Sequence, residues 1–152
     1  MTGCGGSSNA VVYDFGSSRI KFGHAGDIQP LFSVLSAGAR YEEDGEMVTS
    51  YGDQWLEHVR PGLEVVRVVD DTGMLCPKES ETLWSFLDWT YGICLGIDPA
   101  DHPVLVTQPT HLAKQKGKLN TWRCDFAEQL FEFAEHPAVC FEYDSVLACY
   151  SH

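Results

Sequence analysis

The sequence predicts an α/β fold, a mixed sheet flanked by helices, on three observations. Residues 11–27 pattern as a β-hairpin. From Pro77 onward helical and strand patterns alternate, which implies a layered sheet to which the hairpin adds an antiparallel part. With 152 residues, 44% hydrophobic and 21% charged, the chain has the composition of one globular domain able to bury a core.

The hairpin is VVYDFGSSRIKFGHAGD. Val11 to Tyr13 are β-branched and aromatic strand formers, and Asp14-Phe15-Gly16-Ser17-Ser18 breaks the run with residues that turns need. Ile20 and Phe22 resume an alternating pattern that Gly23 and Gly26 close. Such a turn can hold an anion: Gly16 admits close backbone approach, Ser17 and Ser18 add hydroxyl donors, and Lys21 brings a cation on the returning strand. An ordinary hairpin turn has the same composition, so these residues leave both readings open.

Leu31 to Leu35, entered through Pro30, reads as a strand that pairs with the hairpin. Residues 40–52 turn acidic, with an exposed hairpin tip at Glu43-Asp44-Gly45 and the start of a smaller subregion. One or two helical turns are expected in DQWLEHVR before Pro61, and a strand over Leu63 to Val69 with a turn at Asp70 to Gly73.

A helix follows Pro77, with Ser80 as a cap and Glu79 and Glu81 suiting its positive end. Leu83, Phe86, Leu87, Thr90 and Tyr91 form its apolar face, and Gly92 is expected to stop it. Trp84 and Trp89 fall off that stripe, so either two faces are buried or one meets a partner. HPVLVT, from His102, reads as a buried central strand ended by Gln108-Pro109-Thr110. The longest helix is expected over Ala113 to Glu135, with Leu119, Trp122, Phe126, Leu130 and Ala134 on one side. Lys114, Lys116 and Lys118 at its start read as a solvated end. AVCFEY is a last strand, and Asp144 or Ser145 can cap a helix from Val146 to Tyr150. Stopping one turn into an apolar helix, the sequence reads as a piece of a longer protein.

A net charge of −12 argues against direct nucleic-acid binding, which needs clustered Lys and Arg. No apolar run approaches the roughly 20 residues of a membrane helix. Residues 1–8, MTGCGGSS, lack the marks of a signal peptide and read as a flexible tail. The six cysteines form no CxxC pair; four in apolar surroundings read as small core residues, and all as reduced thiols of a cytosolic or nuclear protein. The six histidines are dispersed with no HExxH, which argues against a metal site.

Four anchors then point to a family. HPVLVTQPTHLAKQKGK is similar to the segment HPVLLTEAPLNPKANREK of actins, Phe126 to Pro137 continues as MFExFNxP, VLACY matches VLSLY, and the opening hairpin is similar to VVDNGSGMCKAGFAGD. In this order from Val11 to Tyr150, they make the chain resemble actin and the actin-related proteins; residues 39–81 are covered only by order and size.

That resemblance implies the first half of an actin-like, ribonuclease H-like fold. Residues 9–34 and 70–152 would be part of subdomain one, and residues 35–69 a subdomain-two-like insertion. The family's first phosphate loop matches Asp14, Gly16, Ser17, Ser18 and Lys21, with Asp14 near the water shell of the bound Mg. ATP or ADP with Mg is expected only in a complete protein, since the second phosphate loop and the base and ribose contacts are not in this sequence; none is expected for this chain alone. The family's water-positioning glutamine corresponds to Asp144, whose carboxylate adds like charge near a γ-phosphate and cannot donate as an amide does. Efficient ATP hydrolysis is therefore not expected, and no catalytic residue is assigned.

Among branches, RPGLEVVRVV, the absence of a His before Gly73 and the acidic loop around Glu43 look most like the nuclear actin-related proteins of chromatin-remodelling and histone-acetyltransferase complexes. The resemblance then implies an interaction subunit, nuclear or else cytoplasmic, partnered by actin or another actin-related protein and by a helical scaffold, with no direct nucleic-acid or membrane contact. The competing readings are a cytoskeletal filament or filament-capping component and an active ATPase or kinase of the actin, chaperone and sugar-kinase superfamily.

Overall fold

The computed structural model describes residues 10–57, 60–70, 75, 81–110, 114 and 116–150. Among the described residues eight strands form two sheets. The larger has the order β3-β2-β1-β7-β8, from β1 (Val11–Phe15), β2 (Arg19–His24), β3 (Phe32–Leu35), β7 (Val104–Gln108) and β8 (Val139–Tyr143). The smaller has the order β5-β4-β6, from β4 (Ala37–Glu43), β5 (Glu46–Ser50) and β6 (Glu64–Arg67). β1, β2 and β3 pair antiparallel, whereas β1, β7 and β8 run parallel. The mixed α/β architecture expected from the sequence is the one formed.

Alternation along the strands decides what each face of the larger sheet carries. Val11, Tyr13 and Phe15 of β1 point with Ile20 and Phe22 of β2 and Val104 and Val106 of β7 into the core. Helices α1 (Glu81–Trp89) and α2 (Lys116–Glu132) cover that face. Phe86 of α1 meets Phe22 edge-on at 6.3 Å between ring centroids, and Phe126 of α2 meets Phe15 at 6.1 Å. Leu119, Trp122, Phe126 and Leu130 are buried as their helical spacing requires. Among the described residues the opposite face, with Val12, Asp14 and Lys21, is open apart from α3 (Asp144–Tyr150) at its β8 edge.

Both off-stripe tryptophans pack within the chain. Trp84 lies against Phe126, and Trp89 against Tyr51 and Phe86, so two faces of α1 are covered internally. Gly92 does not end the helix. α1 continues into a π-helical stretch, Thr90–Leu95, and stops at Gly96, whose φ of +61° is the left-handed value that glycine adopts without strain. The wide turn leaves Thr90 in the core, where its hydroxyl donates to the Leu87 carbonyl at 2.8 Å and so must accept from Tyr13 Oη at 2.5 Å.

Asp44, with φ of +53°, and Gly45 turn β4 into β5, as their composition predicts. A short 3₁₀ turn, Gln54–Glu57, stands where helical turns were expected. The turn expected over Asp70 to Gly73 lies outside the described residues beyond Asp70, and the Pro77 helix start, the Ser80 cap, Cys4 and Cys76 lie outside them as well. Of the free thiols, Cys94 is half-buried and packs against the core as read, whereas Cys124, Cys140 and Cys149 are exposed and are not core residues. Spacing puts these three on solvent-facing positions of α2, β8 and α3. Among the described residues there is no cluster fit to hold a metal ion, and no described helix is long and apolar enough to cross a membrane.

Candidate functional site

Parallel pairing of β1, β7 and β8 brings their carboxyl ends to one edge of the larger sheet, where open α/β sheets bind ligands. Asp14, the turn at Gly16-Ser17-Ser18, Thr107, Gln108 and Asp144 all lie along this edge. Asp14 and Asp144 sit at the ends of β1 and β8, about two strand spacings, or roughly 10 Å, apart.

Asp14 faces the open side of β1. Its Oδ1 accepts from Thr107 Oγ1 at 2.9 Å, and its Oδ2 lies 4.0 Å from Lys21 Nζ, across the antiparallel pair. The ion pair is half-exposed on both sides, so it holds orientation more than stability. Thr107 also accepts the Phe15 N–H at 3.2 Å, and so ties the last residue of β1 to β7.

The turn is braced from outside. Gly16 N–H donates to the Asp14 carbonyl at 3.1 Å. Ser36, between the two sheets, gives its N–H to the Ser18 carbonyl at 3.0 Å and its hydroxyl to the Ser17 carbonyl at 2.6 Å. Arg19 holds Asp53 at 2.7 Å, and Asp53 also accepts the Leu35 N–H; the Arg19 hydrogen bond holds the Asp53 carboxyl below its usual range. With the carbonyls engaged, the Ser17 and Ser18 amides meet no acceptor among the described residues, and both side chains are exposed. Gly16 is required sterically, because a Cβ there would stand 2.6 Å from the Arg19 carbonyl oxygen.

Asp144 is engaged differently. Its Oδ1 accepts from the Ser145 N–H at 2.6 Å, from the Thr110 N–H at 3.2 Å and from the Thr110 hydroxyl, fastening the start of α3 to the loop after β7. The carboxylate thus compensates the positive end of α3.

Beneath Asp14 and Lys21 opens a cleft of about 480 Å³, lined also by Val12, the segment from His24 to Pro30, and Leu147 of α3. The edge therefore offers two amides without an acceptor among the described residues, two hydroxyls, a lysine and a carboxylate beside an open cleft. This donor set fits a polyphosphate with a hydrated cation: the amides and Lys21 suit phosphate oxygens, and Asp14 suits cation-bound water.

A model of the actin family matches residues 5–152. The chain belongs to the actin family. It is 29% identical, over an alignment covering 93% of its length, to actin-related protein 5 of Arabidopsis thaliana, and that alignment spans 19% of the Arabidopsis protein. Within this actin-family chain the resembling residues Asp14, Gly16, Ser17, Ser18 and Lys21 form one contiguous group, and Asp144 stands at the same sheet edge without touching them.

Thr107, Thr110 and Ser36 carry contacts that were not singled out from sequence. The signal for Thr107 lies in strand parity, since in a parallel pair it falls on the face of Asp14. Gln108, read as a strand breaker, is 1% exposed and accepts from Arg123 Nε at 2.6 Å, while its Nε2 meets no partner among the described residues.

Proposed function

We propose that this chain belongs to an actin-related protein that acts as an interaction subunit of a nuclear multiprotein assembly, of the chromatin-remodelling or histone-acetylating kind, rather than as an efficient ATPase. The observation that carries the reading is Asp144. Where the resembling family has a water-positioning glutamine, this chain has an acceptor-only carboxylate already occupied by Thr110 and Ser145. A group held by its own helix start has no donor to orient attacking water.

The likeness to a protein named actin-related protein 5 favours the actin-related branch over filament-forming actin. Because the chain spans 19% of that relative, nucleotide and partners are assigned to the protein as a whole. ATP or ADP with Mg would rest its phosphates on Asp14, Ser17, Ser18 and Lys21 as one wall of the site. The partners in this reading are actin or another actin-related protein and a long helix of a scaffold subunit.

A hydrolase reading rests on the same turn, with Asp14, Thr107 and Lys21 together. Phosphate release from Mg-ATP by the purified protein separates the two. The interaction reading expects release at the no-protein background, unchanged in Asp14→Ala; steady release that falls in Asp14→Ala would replace it with the hydrolase.

A further inference from the structure

A second cleft, of about 300 Å³, lies between α1, the turn at Pro99 and the end of α2. Trp84, Leu87, Tyr91, Pro99 and Phe133 give it apolar walls, and among the described residues that line it Asp88 is the one with a charged side chain. This volume is at the small end of ligand sites, room for a large side chain rather than a nucleotide.

The walls are held in place. Phe133 is 71% exposed, yet its N–H donates to the Gln129 carbonyl at 2.9 Å and the next turn is closed by His136 N–H to Leu130 at 3.1 Å. Glu135 takes a left-handed φ of +56° to make that turn. The His136 ring then bridges Tyr91 Oη at 2.8 Å and the His102 carbonyl at 2.7 Å, joining the cleft's two sides. An exposed aromatic on a fixed seat does not fold away from water.

The charge around it has one sign. No Lys or Arg occurs between Lys78 and Lys114 or after Arg123, while Asp88, Asp98, Asp101, Glu132 and Glu135 lie on the segments that build the cleft. Neither the π-helical stretch that ends α1 at Gly96 nor α2 carries a basic residue in its last turn, so the negative end of each dipole is uncompensated by its own helix. An anionic lipid surface or nucleic acid would be repelled.

We infer that this cleft docks a short basic, amphipathic segment of a partner protein, one large apolar side chain entering between Trp84 and Phe133 and flanking Lys or Arg facing Asp88. The inference rests on the interaction-subunit reading and names the chemistry of one of its contacts.

The test titrates the full chain with a synthetic 15-residue peptide bearing Trp and Leu at helical spacing and Lys elsewhere, and with a twin carrying Glu for every Lys. The Trp84 indole N–H is followed by NMR, with the Trp122 indole N–H, fixed on the Leu75 carbonyl at 3.0 Å, as reference. The basic peptide should shift Trp84 and leave Trp122 unmoved. Its affinity should fall at least tenfold in Phe133→Ser and in Asp88→Lys, and fall with added salt. Met47→Ser, on the smaller sheet, should leave it unchanged; circular dichroism confirms that each variant folds. Equal binding of the acidic twin, undiminished binding by Phe133→Ser, or no shift at Trp84 would overturn the inference. Such a failure with co-purifying partners retained counts against the cleft alone, whereas loss of all partners counts against the interaction reading.

Discussion

Thr107 Oγ1 donates to Asp14 Oδ1 at 2.9 Å while accepting the Phe15 N–H at 3.2 Å, so a single hydroxyl joins the candidate phosphate wall to the central strands. Thr107 is buried. Thr107→Val keeps the shape and removes both bonds, leaving the Phe15 amide without its acceptor, and should lower stability by about 1–3 kcal/mol. Thr107→Ser should cost clearly less. Urea unfolding midpoints of the two variants check this.

Lys21 separates ligand contact from fold. Its side chain is 52% exposed and its ion pair with Asp14 spans 4.0 Å, so Lys21→Ala should change stability by no more than about 0.5 kcal/mol. The same substitution removes the cation from the edge. Tripolyphosphate should shift the Ser17 and Ser18 amide resonances of the unmodified chain, and several-fold more of it should be needed in Lys21→Ala.

Three glycines test the backbone account with opposite signs. Gly92 lies inside the π-helical stretch with nothing within 4 Å of an added Cβ, so Gly92→Ala should stabilise by about 0.4–1 kcal/mol. Gly96→Ala, at a φ of +61°, should destabilise by about 1 kcal/mol. Gly16→Ala forces a Cβ to 2.6 Å from a backbone oxygen and should cost about 1–3 kcal/mol. It therefore disturbs the turn itself and is a poor probe of nucleotide contact. Thermal unfolding of the three variants gives the order.

His136 predicts a pH dependence. Burial pushes its pKa below the ordinary 6.5, and its Nδ1–H on the His102 carbonyl leaves Nε2 to accept from Tyr91. A depressed folded pKa means that the unfolded chain binds more protons between the two values. The stabilisation is therefore complete above about pH 6.5 and is lost as pH falls through that value toward the folded pKa. Urea midpoints measured from pH 7.5 down to 5.5 should drop, and His136→Gln should remove part of that slope.

Where local chemistry decides, the sequence was a good guide: the alternation of β1 and β2, the Asp44-Gly45 turn and the Leu119, Trp122, Phe126, Leu130 stripe all formed as patterned. The larger departures have tertiary causes. Gly92 reads as a helix stop only while the helix is considered alone; packing of Tyr13 on Thr90 carries the chain through a π turn to Gly96. HPVLVT suggests a strand buried on both faces, yet Leu105 is only half-buried, because it points to the open side while Val104 and Val106 fill the core. The candidate turn was visible as a composition, but its bracing by Ser36 and Asp53 arises from long-range pairing that no local pattern encodes.

The most direct test of the interaction-subunit account is affinity purification of the tagged endogenous protein from separated nuclear and cytoplasmic extracts. The account predicts recovery from the nuclear extract with actin or another actin-related protein in a stoichiometric assembly. Recovery from the cytoplasm with filament proteins alone would contradict it.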